Sequence, residues 1–209
     1  MAQKNYHHGD LKNALIEAGI EILSKEGVND LSLRKAARKA GVSHAAPYAH
    51  FTDKQALIAA IALDGHSKIH ARIEEVLALY PNDPLKQLVR LAWAYMQFGL
   101  ESPAHYKITF SGLIENEKNH PELVKVTRQS LTALQKIIED CQGAGVLSPS
   151  EYESEVVTII LWGLIHGLVL LVIESQVPSE LMKRTQPKDM VIAALQQMVR
   201  VPISVNMLK

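Results

Sequence analysis

Apolar residues recur at helical spacing along nearly the whole chain. Over residues 10–26, Leu11, Leu15, Ala18 and Ile22 fall four, three and four apart and form one stripe, which Gly27 ends. Ser32 then caps a short helix in which Leu33, Ala36, Ala37 and Ala40 occupy i, i+3, i+4 and i+7, before Gly41 stops it. After the break Gly41-Val42-Ser43, residues 44–51 are just long enough for two helical turns, with Ser43 as their cap. Thr52-Asp53-Lys54-Gln55 reads as a capping box that opens a long helix through Leu57, Ile58, Ile61, Ile69, Ile73 and Leu77.

Proline punctuates the remainder, standing repeatedly at the first helical position behind a capping residue. Asp83-Pro84 and Ser102-Pro103 open two helices, and Asn119-His120-Pro121 precedes a longer one over residues 122–142, which Gly143 and Gly145 end. Ser148-Pro149-Ser150-Glu151 combines a capping box with a leading proline and is expected to start a helix reaching about residue 175; a last helix follows Pro187. No run of alternating β-branched residues with hairpin dipeptides interrupts this pattern, which predicts an all-α protein of about nine helices.

Composition bounds what such a chain can be. It has 209 residues, 47% hydrophobic and 21% charged, as a soluble globular protein does, with room for one large domain or a small one attached to a medium one. Lys plus Arg and Asp plus Glu both number 22, so a globally basic coat is excluded and a local basic patch is not. The single cysteine, Cys141, allows no intramolecular disulfide and no multi-cysteine metal site, which fits a reducing compartment. The opening MAQKNYHHGD has no apolar signal-peptide core, so a cytoplasmic location is expected.

Charge is distributed unevenly within that neutral total. Residues 31–52 hold Arg34, Lys35, Arg38 and Lys39 and no acid. A short helix, a glycine-containing turn and a second short helix make a helix-turn-helix, whose second helix can enter the major groove while cations of the first meet phosphates. The competing reading of the stripe is a solvated charged face on an ordinary helical hairpin. The residues themselves tip the balance. Residues 10–58, above all Leu33-Arg34-Lys35-Ala36-Ala37-Arg38-Lys39-Ala40-Gly41-Val42-Ser43-His44 and the following Pro47-Tyr48-Ala49-His50-Phe51-Thr52-Asp53-Lys54, resemble the DNA-binding domain of the TetR family of bacterial transcriptional regulators. Trp162-Gly163-Leu164-Ile165-His166-Gly167 is similar to the Trp-His-Gly signature of one branch of that family, and Tyr6-His7-His8-Gly9-Asp10-Leu11 looks like that branch's N-terminal arm.

The resemblance implies a helix-turn-helix domain over residues 1–55 and a helical ligand-binding and dimerisation domain over 56–209. It implies that Ser32 and Arg34 contact phosphate, that Ser43, His44, Ala45 and Ala46 face the bases, that Tyr48 and His50 touch sugar-phosphate, and that Lys54 reaches phosphate from a helix N-terminus. Phe51 is expected in the core. Pro47, at about the fourth position of the second short helix, costs at most one backbone hydrogen bond. Ala49 stands where many relatives carry Arg or another polar residue, so one backbone contact is expected to be missing. The recognition segment has no Arg, Asn or Gln, so sequence preference is expected to lean on His44, on thymine-methyl contacts from Ala45 or Ala46, and on DNA shape.

The uncharged run of residues 156–173 permits two readings. Its length and its Gly163-x-x-x-Gly167 spacing suit a membrane span with a dimer motif. Against this, His166 sits mid-run, Glu151, Glu153, Glu155 and Glu174 border it, and no Lys or Arg follows until Lys183, where a bilayer favours cations. A helix apolar all round can instead be buried by its own domain on one side and by a second subunit on the other. The resemblance supports the second reading, since the family dimerises through its last two helices, and it implies an interface at Trp162, Gly163, His166, Gly167 and Leu170. A two-fold dimer sets its recognition segments roughly 34–36 Å apart, matched to a palindromic operator.

The family's regulatory domain takes a small-molecule effector. Trp93, Met96, Tyr106, Phe110 and Trp162 are candidate walls, with His166 as a polar contact, although aromatic and Met residues at helical spacing also serve as plain core. Without a Lys/Arg cluster in this half, a neutral or hydrophobic compound is expected. His66 and His70 stand i, i+4, but no Glu accompanies them as in a zincin and no third ligand is obvious, so a solvated face is expected. No metal, cofactor or catalytic residue is called for; phosphate-binding glycine loops, nucleophile elbows and catalytic carboxylate pairs are absent from the sequence. Two alternatives stay open: a helical membrane-associated protein, and a ligand-binding module that does not bind DNA.

Overall fold

The computed structural model describes residues 8–148 and 150–208, with side chains from Leu11 onward. Nine α-helices occur among the described residues: α1 (His8–Glu26), α2 (Leu33–Ala40), α3 (Lys54–Leu79), α4 (Pro84–Glu101), α5 (Pro103–Thr109), α6 (Pro121–Gly143), α7 (Ser154–Ile173), α8 (Ser179–Met182) and α9 (Pro187–Gln196). Short 3-10 turns lie at Val28–Asp30, Ala46–Ala49, Glu117–Asn119 and Val205–Leu208. The extended pairing among the described residues is a single antiparallel bridge, Leu147 with Val199. Tyr6 and His7, placed by the sequence in an N-terminal arm, lie outside the described residues.

The helix count agrees with the periodicity, but its membership differs. Residues 44–51 form no two-turn α-helix capped by Ser43; they make the 3-10 turn Ala46–Ala49. Pro47 has no N–H to return to the Ser43 carbonyl, which accepts from Ala46 N (3.1 Å) instead, and Tyr48 N and His50 N likewise reach back three residues, to Ala45 and Pro47. The short α8 was not foreseen. The helix expected to start at Ser148-Pro149-Ser150-Glu151 begins at Ser154, because the Ser150 hydroxyl accepts from Tyr152 N (3.1 Å) in a local turn rather than capping a helix. At the start of α3, Asp53 supplies the cap, accepting from Ala56 N at 2.8 Å, while Thr52 bonds Asp53 and Gln55 accepts from Glu115 N.

The chain divides into two compact units, Met1–His66 with Ala104–Lys125, and Ser67–Pro103 with Val126–Lys209. In the first, the stripe of α1 (Leu15, Ile22), the apolar face of α2 (Leu33, Ala36), Phe51, Leu57, Ile58 and Ile61 of α3, and Ile108 of α5 close into one core. Phe51 is buried as expected. α3 and α5 approach so closely that a Cβ on Gly65 would lie 1.9 Å from Thr109 Oγ1. In the second unit α4 packs on α7 and α9. Leu88, Val89 and Met96 of α4, Ile137 and Ile138 of α6, Leu161, Ile165 and Val169 of α7, and Val191 and Leu195 of α9 are buried. Cys141 joins them, its Sγ donating to the Pro84 carbonyl (3.2 Å); burial pushes its thiol up to about 12, so it stays an inert thiol at neutral pH.

Candidate nucleic-acid interface

The residues assigned to DNA sit on one stretch of the first unit, and local rules explain their presentation. Ser32 caps α2, its Oγ accepting from Lys35 N (3.2 Å), and Gly41 ends α2 in the left-handed region (φ 72°), where Val42 N returns to the Ala37 carbonyl (3.0 Å). The chain thereby reverses within three residues. Pro47 and Phe51 anchor the following turn in the core, leaving Ser43, His44, Ala45 and Tyr48 exposed, Tyr48 at 56%. Ala46 and His50 are half-buried. Arg34 is exposed, and Ser32 is exposed with its hydroxyl already engaged by the cap. Lys54, at the first position of α3, donates from Nζ to the Val28 carbonyl, so this ammonium is held over the segment between α1 and α2.

Electrostatics around α2 differ from what residues 31–52 suggest alone. Lys35 Nζ stands 2.6 Å from Glu26 and 3.2 Å from Asp30, and Lys39 Nζ 2.7 Å from Glu21. Glu26 beside it, and then Asp30, holds Lys35 above the ordinary lysine range; hydrogen bonds from Lys25 and Lys39 hold Glu21 below the ordinary carboxylate range. The acids lie just upstream of the stripe and fold back onto it. Arg38, named in the stripe but given no contact role, is exposed beside Arg34.

The residues read as effector walls divide between the units. Tyr106 and Phe110 belong to the first, where Tyr106 is fully buried, 4.9 Å from the Phe110 ring. Trp93, Met96, Trp162 and His166 belong to the second, where Met96 is fully buried and Trp93 half-buried. There Trp162 Nε1 donates to Tyr95 Oη (2.9 Å), which lies 3.0 Å from His166 Nδ1. A hydroxyl that accepts from Trp162 can give its own proton to Nδ1 only when the imidazole is neutral, and burial lowers the His166 pKa in that direction. The sequence reading missed Tyr95, because nothing in the periodicity of α4 marks a residue whose partners lie on α7.

On α7, Val156, Ile159, Ile160, Leu164 and Leu171 are exposed, Ile159 and Ile160 at 52% each, and with Gly163 and Gly167 they form one stripe. Trp162, His166 and Leu170, given to an interface by the resemblance, are half-buried beside it. A Cβ at Gly163 or Gly167 would meet nothing within 4 Å, so the stripe is open along its length. By length and composition α7 could also cross a membrane.

His66 occupies no solvated face, whereas His70 is half-buried beside the exposed Glu74. His66 lies edge-on to Phe110 (5.3 Å, 77°), and burial drives its pKa to about 4 against an opposing backbone hydrogen bond at Thr109. His70 Nδ1 sits 3.3 Å from Ser130 Oγ. The reading of His66 fails because α5 covers this turn of α3.

Among the described residues, α2, its glycine turn and the exposed segment after it, in a chain otherwise built almost wholly of helices, define a helical protein of the helix-turn-helix class. Two family models match: "Bacterial regulatory proteins, tetR family" over residues 15–61 and "Tetracyclin repressor-like, C-terminal domain" over residues 88–198. The chain belongs to the TetR family and is a DNA-binding transcriptional regulator. It is 26% identical over 168 residues to the uncharacterized HTH-type transcriptional regulator YobS of Bacillus subtilis, covering 78% of this chain and 80% of that one. It is 33% identical over 89 residues to the HTH-type transcriptional regulator AcrR of Shigella flexneri, covering 42% and 41%. Among solved structures it is similar to a protein with unknown function from Rhodococcus sp. RHA1 (TM-score 0.74, 28% identity, 93% and 96% covered). It also shares its fold with the transcriptional regulator FadR of Bacillus subtilis in complex with stearoyl-CoA (TM-score 0.72, 15% identity, 90% and 97% covered).

Proposed function

We propose that the protein is a cytoplasmic repressor that binds a palindromic operator as a homodimer and is released by a small neutral or hydrophobic effector. The observation that carries the DNA half of this reading is the exposed series Ser43, His44, Ala45 and Tyr48, held by a left-handed glycine turn on one side and by buried Pro47 and Phe51 on the other. In this reading residues 1–55 are the DNA-binding domain and 56–209 the regulatory domain, and the protein has no catalytic role. Ser43, His44, Ala45 and Ala46 face bases; Ser32, Arg34, Tyr48, His50 and Lys54 face the backbone. Lys54 has further ammonium protons to offer a phosphate beside the one given to Val28.

The dimer rests on the open stripe of α7, read as a protein interface rather than a lipid-facing surface because the acids Glu151, Glu153, Glu155 and Glu174 border it. In this reading the effector meets Trp93, Met96 and Trp162 of the second unit, with His166 as the polar contact, and the stearoyl chain of the ligand in the FadR complex is an example of an apolar group held by a protein of this fold. In this reading the run from Trp162 to Gly167 is the signature of the Trp-His-Gly branch. Such an effector acts by binding the DNA-incompetent conformation more tightly than the competent one.

Selection of DNA from a random pool by the purified protein, with sizing of the complex, tests the operator and homodimer parts of this reading. The expected result is an enriched palindrome bound by two chains. A pool that yields no consensus, or a monomeric complex on a single half-site, overturns it.

A further inference from the structure

Four cations stand on α2, and folding divides them into two pairs. The helix buries Leu33, Ala36 and Ala37, and residues four apart share a flank, so Arg34 and Arg38 lie along one side of that face and Lys35 and Lys39 along the other. The lysine side meets carboxylates: Glu26 and Asp30 on Lys35 at 2.6 and 3.2 Å, and Glu21 on Lys39 at 2.7 Å. Lys35 is half-buried, its side chain 21% exposed, whereas Lys39 is exposed and differs from the arginines by its ion pair. Arg34 and Arg38 are exposed and make no ion pair or hydrogen bond among the described residues.

We propose, resting on the DNA-binding reading above, that Arg34 and Arg38 form the phosphate-binding edge of α2, while Lys35 and Lys39 staple α2 to the segment that precedes it and contribute little to DNA affinity. The salt-dependent part of DNA binding comes from cations that neutralise phosphates and release condensed counterions. A lysine already paired with carboxylates must give up those pairs first, which would leave Glu26 with Asp30, or Glu21 with Lys25 as its remaining partner, facing the phosphates. An unpaired arginine has no such cost, and its planar fork can take two phosphate oxygens at once. Arg38 is thus a positioning contact that the stripe alone did not separate from its lysine neighbours.

The test is fluorescence anisotropy on a mixed-sequence duplex across a range of salt concentrations, because binding without sequence preference isolates the phosphate contribution. Wild type, Arg38→Gln, Arg38→Lys and Lys39→Gln are compared after circular dichroism has verified that each is folded. For every Arg38 withdrawn from a phosphate, the slope of log K against log salt is expected to shrink by about 0.9, with weaker binding at low salt. Arg38→Lys is expected to restore the slope, since it keeps the charge at an unpaired position. Lys39→Gln is expected to leave the slope at the wild-type value. A wild-type slope in Arg38→Gln, or an equal loss in Lys39→Gln, overturns the division of the four cations while leaving the DNA-binding reading intact. If the wild-type protein itself binds no duplex, both fall together.

Discussion

His66 shows how far a single residue departs from what its sequence neighbours suggest. Four residues from another histidine, it looks like half of a surface pair, yet it packs against Phe110 and its imidazole is pushed to a pKa of about 4, chiefly by burial. Below its unfolded value near 6.5 the unfolded chain takes up a proton that the folded one refuses. Stability contributed by this site is therefore complete above pH 6.5 and lost progressively as pH falls toward 4, up to about 3 kcal/mol. Chemical denaturation between pH 7 and 4 should show this decline, and His66→Gln should flatten it; an unchanged slope in the variant would assign the acid sensitivity to other groups. At the same scale, the exposed positions Ser43, His44 and Tyr48 were legible because a motif of fixed spacing carried them. The pairing of Lys35 with Glu26 was not, since the acids that neutralise the stripe lie outside it.

At the scale of elements, caps and turns account for most boundaries. Ser32 and Asp83 both accept from the residue three positions on, at 3.2 and 2.9 Å, and both were visible as capping residues before an apolar stripe. Two misread elements have local causes of different kinds: the Ser150 hydroxyl is engaged in a turn instead of a cap, and Pro47 lacks the amide that an α-helical turn would need. How closely elements approach was invisible in the sequence. Gly65 lies in mid-helix, where alanine would ordinarily add about 1 kcal/mol of helix stability. Here the new Cβ would fall 1.9 Å from Thr109 Oγ1 and 2.9 Å from its Cγ2, on a buried, branched side chain bonded to the His105 carbonyl. Overpacking of this kind costs about 1–3 kcal/mol or more, so Gly65→Ala is expected to destabilise the protein despite its better propensity. Thermal melts of Gly65→Ala with and without Thr109→Ala check this. Partial recovery in the double variant is expected, whereas simple additivity would mean that the two helices do not press together at this point.

For the whole molecule the deciding feature is α7, apolar on every face. Such a helix carries no phase: periodicity cannot tell which stripe its own unit covers and which it leaves open. The structure resolves this, burying Val157, Leu161, Ile165 and Val169 and exposing Val156, Ile159, Ile160, Leu164 and Leu171. The interface inferred from the resemblance, centred on Trp162, His166 and Leu170, lies along the flank of that stripe, and only Gly163 and Gly167 fall within it. In the proposed dimer Ile160→Glu would set an unpaired carboxylate in a two-fold contact, at a cost on the order of 3 kcal/mol or more, equivalent to over a hundredfold in dimer Kd. Sedimentation should report a monomer that keeps its helical circular dichroism. A persistent dimer would place the interface elsewhere.

The sequence by itself determined the all-α class, α2 and the glycine turn that follows it, because spacing, capping and glycine placement are local properties written within a few residues of where they act. Three things were decided by tertiary structure: which of the four α2 cations remain unpaired, how closely α3 and α5 approach, and which stripe of α7 stays open. Each depends on residues distant in sequence meeting in space, and a charge pattern or an apolar run carries no record of the partners that will cover it.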